Sequence, residues 1–138
     1  MNLSYAIAPF AAWLVAGSLK FCVNSIKAKK LAFGLIGYGG LPSNHSAIVS
    51  SVAALIGFKE GIANPAFGVG LALAFIVILD ASSLRKQIGK QATIINQLTQ
   101  THGSKTFLRE RMGHTRVEIA AGVAVGVAVA KFLYAFLS

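Results

Sequence analysis

Two histidines in this sequence stand beside residues that suit phosphoryl chemistry. In the stretch Gly39-Gly40-Leu41-Pro42-Ser43-Asn44-His45-Ser46-Ala47, glycines let a backbone approach a ligand, Pro42 sets a first turn, and Ser43 is a favourable N-cap. The pattern predicts a helix N-terminus, whose free N–H groups and positive dipole end favour an anion beside Ser43 and Asn44. His45 there is placed to give a proton to a leaving oxygen, although an ordinary histidine in a capped turn has the same surroundings. In Gly113-His114-Thr115-Arg116-Val117-Glu118 the histidine and the glutamate are four apart and share a helix face. A carboxylate so placed fixes the imidazole tautomer and leaves the other ring nitrogen free to attack phosphorus; a salt-bridged interfacial histidine has the same spacing.

A third cluster, Asp80-Ala81-Ser82-Ser83-Leu84-Arg85-Lys86, follows the longest apolar run. Arg85 suits a bidentate clamp on two phosphate oxygens, Lys86 or Lys90 adds charge, and Asp80 orients one of them. The competing reading makes Asp80 a helix cap and the cations solvated interfacial charges. A metal site fits less well, because His45 and His114 have no third ligand at diagnostic spacing and cations surround them.

The elements that must position these residues are helices in a bilayer. Of 138 residues 55% are hydrophobic and 12% charged, and the mean hydropathy is +0.67, more apolar than a soluble domain of one-core size can hide. The chain is expected to form a single integral membrane domain over residues 1–138, an all-α polytopic bundle of about four spans. The spans are read at about 5–26, 43–58, 65–79 and 117–137, the second being short, with an interfacial helix near residues 84–98 and a loop over 99–105. Gly122 and Gly126 form a small-xxx-small pair that implies close packing, either inside the bundle or between protomers, and self-association is expected. Cys22 is the single cysteine, which excludes an intramolecular disulfide.

Thirteen Lys and Arg against four Asp and Glu give a charge of +9, which in a soluble protein would suggest nucleic acid. The cations cluster instead between apolar runs, four in residues 20–45 and seven in residues 80–116, against one in residues 59–64. The positive-inside rule then places the two rich segments in the cytoplasm and both termini outside. No nucleic-acid partner is expected. Every candidate residue, Lys20 at the end of the first span included, falls on that one basic face.

At these motifs the chain resembles the divergent branch of the type-2 phosphatidic acid phosphatase superfamily, related to acid phosphatases and vanadium-dependent haloperoxidases. The likeness rests on Lys20, on Gly39 to Ala47, on Asp80 to Asn96 and on Gly113 to Glu118, and covers nearly the whole chain. It implies a general acid at His45, a histidine nucleophile at His114, an orienting carboxylate at Glu118 and hydrolysis of phosphate monoesters through phosphohistidine, with no obligatory metal or cofactor. The substrate implied in a membrane is a lipid or isoprenoid phosphate, probed against the alternative of a site that only binds one. Three positions depart from the superfamily pattern, the first being Asn44, which replaces the motif glycine before His45. Lys27, and no Arg-Pro, lies seven residues after Lys20, and Phe107-Leu108 stands where Ser-Arg precedes the histidine, so Arg85 or Arg109 must supply the guanidinium. The lack of a transit segment favours a bacterial cytoplasmic membrane.

Overall fold

The computed structural model describes residues 3–31, 40–101 and 107–137; Gly39 and positions 102–105 of the expected loop lie outside them. All regular structure among the described residues is helical: α1 (Ser4–Ala28), α2 (Asn44–Glu60), α3 (Pro65–Leu79), a π-turn (Asp80–Leu84), α4 (Arg85–Thr101) and α5 (Arg116–Leu137). Local chemistry sets the ends. Ser43 caps α2 by accepting the Ser46 N–H, and Asn64 caps α3 by accepting the Ala66 N–H at 2.9 Å, with Pro65 in the first turn. At the end of α1, Lys29 takes a left-handed φ of 51°, its N–H reaches the Ile26 carbonyl at 3.2 Å, and the Lys30 N–H reaches Ser25 at 3.3 Å. This is a Schellman closure.

Three stretches, Ser4–Ala28, Pro65–Gln100 and Arg116–Leu137, are long and apolar enough to cross a bilayer. Their large apolar side chains face outward, Phe10, Trp13, Val69, Phe75, Phe132 and Phe136 among them, as a surface solvated by lipid requires. The protein is an integral membrane helical bundle. The segment read as a short second span is α2, whose 17 residues reach about 25 Å, less than the about 30 Å of a hydrocarbon core.

α2 is the centre of the bundle, packed against α5, α1 and α3. It buries Ser46, Ala47, Val49, Ser50, Ser51, Ala53 and Leu55. Its serines are tolerated there because Ser50 donates to the Ser46 carbonyl at 2.6 Å and Ser51 to the Ile48 carbonyl at 2.8 Å. Alanines 8, 12 and 16 of α1 and Val129, Ala130 and Leu133 of α5 close the core around Ala47 and Leu55. The Gly122–Gly126 pair is used inside the chain. A Cβ on Gly122 would run into the Ser43 carbonyl and stand 2.9 Å from Ser46 Cβ, and one on Gly126 would run into the Ser50 hydroxyl and the Ala47 carbonyl. The two glycines let α5 lie on α2 backbone to backbone.

The helices alternate in direction. Tyr5 donates to Glu60 at 2.6 Å and Lys59 to the Leu137 carbonyl at 3.5 Å, which brings the start of α1 and the ends of α2 and α5 to one end of the bundle. The interfacial helix expected near 84–98 continues α3 through the π-turn and runs on to Thr101, into the stretch read as loop. Thr99 sustains it by turning its hydroxyl back to the Ile95 and Asn96 carbonyls at 2.9 and 3.1 Å.

Candidate functional site

The other end of the bundle gathers the candidate residues. At the start of α2, Ser43 is fully buried and spends its polar groups on structure: its hydroxyl accepts from the Ser46 N–H and hydroxyl at 3.4 and 3.1 Å, and its N–H donates to the Glu118 carbonyl at 2.9 Å. That last bond ties the α2 N-terminus to the first turn of α5. It therefore sets where His45 stands relative to His114. Asn44 Oδ1 and His45 Nδ1 are buried and have no hydrogen-bond partner among the described residues.

Asp80 and Arg85 are five residues apart, which on a regular α-helix would separate them by about 140°. The π-turn Asp80–Leu84 widens the helix so that Arg85 N–H returns to the Asp80 carbonyl, and the two side chains meet with Nε 3.1 Å from Oδ2. Asp80 thus holds one side of the guanidinium and leaves the other for the site. Arg85 Nη2 lies 3.4 Å from His45 Nε2. A guanidinium only donates, so His45 Nε2 is the acceptor and the proton of the neutral ring sits on Nδ1.

The segment from Phe107 to His114 runs back along α4. Asn96, 3% exposed, brackets Leu108 by donating to its carbonyl and accepting its N–H, both at 2.8 Å, and donates to Glu110 at 2.7 Å. Gly89 lets the Glu110 carbonyl lie against the helix, where a Cβ would collide with it. Gly113, at φ +87°, turns the chain over the Lys86 stem. The His114 N–H then donates to the Ala81 carbonyl, within the π-turn, at 2.9 Å.

His114 is 6% exposed, and its Nδ1 lies 3.1 Å from Glu118 Oε2. The same oxygen accepts the Thr115 N–H at 2.9 Å, while Thr115 Oγ1 accepts the Glu118 N–H at 3.2 Å. This is a capping box. One carboxylate both starts α5 and fixes the His114 tautomer, with the proton on Nδ1 and the lone pair on Nε2. Burial pushes the His114 imidazole below its ordinary range; the Glu118 hydrogen bond draws it back, and the charges of Lys20 and Arg85 lower it.

The two imidazole centres are 6.1 Å apart, tilted by 55°. Half-buried Lys20 of α1 is near enough for its charge to act on both rings and on Glu118. Lys20, His45, Asp80, Arg85, His114 and Glu118 thus meet at one end of the bundle, from α1, α2, the π-turn with α4, and the entry to α5. Asn44 flanks them, and Ser43 serves as cap and tie. Lys86 is exposed beside Gly113. Arg109 is exposed, with its Nε on the Arg111 carbonyl at 3.3 Å. Its neighbours Glu110 and Leu108 lie at Gly89 and Asn96, about 6 to 16 Å along the helix from Arg85. Arg85 is the guanidinium at the histidines.

Three positioning features escaped the sequence reading. The Thr115-x-x-Glu118 box was visible as a motif, and the five-residue Asp80–Arg85 spacing hinted at a widened turn. The Asn96 bracket had no local signal, because its partners lie 12 and 14 residues away. Among the described residues no three His, Cys, Asp or Glu gather as a metal site, and two imidazoles between Lys20 and Arg85 suit an anion.

Two comparisons with known proteins bear on this site. The chain is 29% identical over 138 residues to a Bacillus subtilis (strain 168) protein named "Uncharacterized membrane protein YuiD", a match covering 88% of this chain and 87% of that one. No solved structure matches it. The family model described as "Divergent PAP2 family" matches residues 2–129, the span that contains every residue of the site. The chain belongs to the divergent PAP2 family.

Proposed function

We propose that this protein is a membrane phosphatase of a lipid or isoprenoid phosphate, working through a phosphohistidine. The observation that carries the reading is the pairing of a buried His114, oriented by Glu118 at 3.1 Å, with a second imidazole 6.1 Å away under an arginine. His114 Nε2 attacks phosphorus as the ester P–O bond breaks, and His45, protonated when the anion is bound, gives its proton to the leaving alkoxide. Water then attacks the phosphohistidine while His45 takes its proton, releasing inorganic phosphate and restoring His114. Asn44 Oδ1, an acceptor, suits that water.

Attack requires about 3–3.5 Å from nitrogen to phosphorus, and proton transfer about 2.6–3.2 Å from His45 to the leaving oxygen. The two lengths alone come to about 5.6–6.7 Å, and with the breaking P–O bond in line they exceed the 6.1 Å between the ring centres. Arg85 therefore leaves His45 Nε2 for the phosphate oxygens as substrate enters, and His45 turns outward. Lys20 faces the same phosphate. In this reading α2 completes the bundle as a fourth, protein-enclosed passage, and the site opens to the cytoplasm of a bacterial cell.

A second reading, a site that binds a lipid phosphate without turning it over, is favoured by one observation. Phe107-Leu108 occupies the place of the superfamily's Ser-Arg, and Arg109 turns its Nε to the Arg111 carbonyl, which leaves the superfamily's arginine position unfilled. Purified protein given phosphorylated lipids separates the two. The phosphatase reading expects phosphate release that His114→Ala and His45→Ala each abolish; release no greater than that of the double variant on every substrate overturns it.

A further inference from the structure

Pro65–Gln100 runs through the π-turn as 36 residues of helical backbone, about 54 Å long. The hydrocarbon core is about 30 Å thick, and even a helix tilted by about 40° crosses it in about 39 Å. About 15 Å or more of the rod therefore stands beyond the apolar layer. Lys86, Gln87, Lys90, Gln91 and Asn96 place that excess in α4.

The projecting helix carries an apolar stripe. Leu84, Ile88, Ile95 and Leu98 are exposed and, with Gln91 among them, follow one another at steps of four, three, four and three residues. That alternation is the seam of paired helices, in which each side chain enters a gap between four on a neighbouring helix. At about 100° per residue, Lys86 and Lys90 fall about 160° and 120° from the midline of the stripe, and the buried Gly89, Ala92 and Asn96 fall about 80–140° to its other side. Gly89 and Asn96 hold the return segment, so a neighbouring helix on the stripe does not compete with it.

Charge and orientation choose the neighbour. Gln87, Ala92, Ile94 and Thr99 flank the stripe without charge, and Arg85 at its start is held in the site by Asp80, so an identical helix meets no like charge across the contact. A helix lying flat on the leaflet would need a sharp turn out of α3, whereas Leu79, Asp80 and Arg85 keep right-handed helical dihedrals across the join. A second copy in the same bilayer presents the same stripe at the same height and in the same direction, so the two seams meet in register about a two-fold axis. The Gln91 carboxamides then face each other, and each has both a donor and an acceptor for the other. Two heptads are short for helices free in water, and the bilayer offsets this by confining both copies to one orientation, which raises their effective concentration.

We infer that α4 pairs in parallel with α4 of a second copy of this chain, along Leu84, Ile88, Gln91, Ile95 and Leu98. The self-association suggested by the small residues of α5 is thereby relocated, since Gly122 and Gly126 are spent on α2. The pairing does not depend on whether the site turns over phosphate.

The test is disulfide crosslinking of the full chain in vesicles, with Cys22→Ser as background and single cysteines placed along α4. With copper-phenanthroline as oxidant, dimers are expected at Ile88→Cys, Gln91→Cys and Ile95→Cys in at least fivefold greater yield than at Lys90→Cys and Gln97→Cys, a ratio that persists when the protein is diluted tenfold in lipid. Gln91→Lys, which sets like charges into the seam, is expected to reduce the Ile95→Cys dimers at least fivefold, and Gln91→Asn to retain at least half of them. Equal yields all round the helix, a maximum at Lys90 and Gln97, no dimers at the stripe, or yields that fall in proportion to dilution would each overturn the pairing. So would a fluorophore on Ile88→Cys or Ile95→Cys that chain-brominated lipids quench as strongly as one on Phe75→Cys of α3, because the stripe would then lie in the bilayer.

Discussion

Glu118 holds His114 through the same carboxylate oxygen that starts the helix they both introduce, 3.1 Å from the imidazole Nδ1 and 2.9 Å from the Thr115 N–H. Tautomer control and helix initiation are therefore inseparable at Glu118 and separable at Thr115. Thr115→Ala removes half of the capping box, and is expected to cost about 1 kcal/mol of stability with phosphate release reduced less than threefold. Glu118→Ala is expected to lose similar stability and at least a hundredfold in release. Thermal unfolding in detergent beside a release assay reads both, and equal losses of release in the two variants would remove the special role of Glu118.

The pH dependence carries a definite sign. Burial holds the His114 imidazole below its ordinary range against the opposing pull of Glu118, so the neutral ring that the proposed attack needs persists into mildly acidic solution. The acidic limb of kcat/KM, which reports the free enzyme, should lie below the about 6.5 of a free imidazole. Glu118→Gln removes the charge that raises this pKa and should move the limb lower still. A limb that moved upward would contradict the assignment.

Arg85 supplies two directed donors, and Asp80 aims them. Charge-assisted hydrogen bonds contribute about 1.5–3 kcal/mol each, so Arg85→Lys, which keeps the charge and loses the fork, should weaken inorganic phosphate binding by about ten- to a hundredfold. Asp80→Asn keeps an acceptor near Nε and should weaken it less than tenfold. Titration of phosphate against the purified protein by calorimetry reads the order, and Asp80→Asn as damaging as Arg85→Lys would contradict it.

The α2–α5 contact leaves no room for a methyl group at Gly122, whose Cβ would meet the Ser43 carbonyl. Because Ser43 neighbours the site, Gly122→Ala should both destabilise the bundle, by about 1–3 kcal/mol as overpacking does, and lower phosphate release at least tenfold. Gly68 of α3 faces open space, so Gly68→Ala should leave both unchanged. Unfolding midpoints in detergent and release rates for the pair are the measurement.

Asn96 fastens the return segment at some distance from the histidines. Replacing it by Ala removes the partner of both the Leu108 N–H and carbonyl, two hydrogen bonds of about 0.5–1.5 kcal/mol each. Limited proteolysis should then cut between Phe107 and Arg111 at least fivefold faster than in the wild type, with cleavage elsewhere unaltered. An unchanged cleavage rate would mean that other contacts hold the segment.

What the sequence made legible follows from the range of each force. Apolar length located α1 and α5 to within two residues, because a bilayer demands long runs, and the Asn64-Pro65 pair marked the start of α3 through purely local capping. The extent of α4 was misjudged because Gly and Thr near residue 100 weaken intrinsic helicity, whereas Thr99 bonds back to the turn before it. The central place of α2 was hidden for a different reason. Its serines look polar for a span, and only the two glycines of α5 reveal that a backbone lies against them. At the site, residue types and a shared face were readable, but the choice of Arg85 over Arg109 depends on a return segment whose path is set by contacts between α4 and residues 107–114.

The π-turn has a consequence for the kind of change the protein tolerates. Straightening Asp80–Leu84 into ordinary α-helix, with all five residues kept, would turn everything after it by about 100° relative to α3. Arg85 would leave His45, and the Asn96 bracket would swing with it. Every side chain of the site would still be present in the chain, yet the site would be dismantled. At this point the site depends on helix type as well as on residue identity: Asp80–Leu84 acts as a coupling that sets the angular phase between a lipid-facing rod and a site-bearing one.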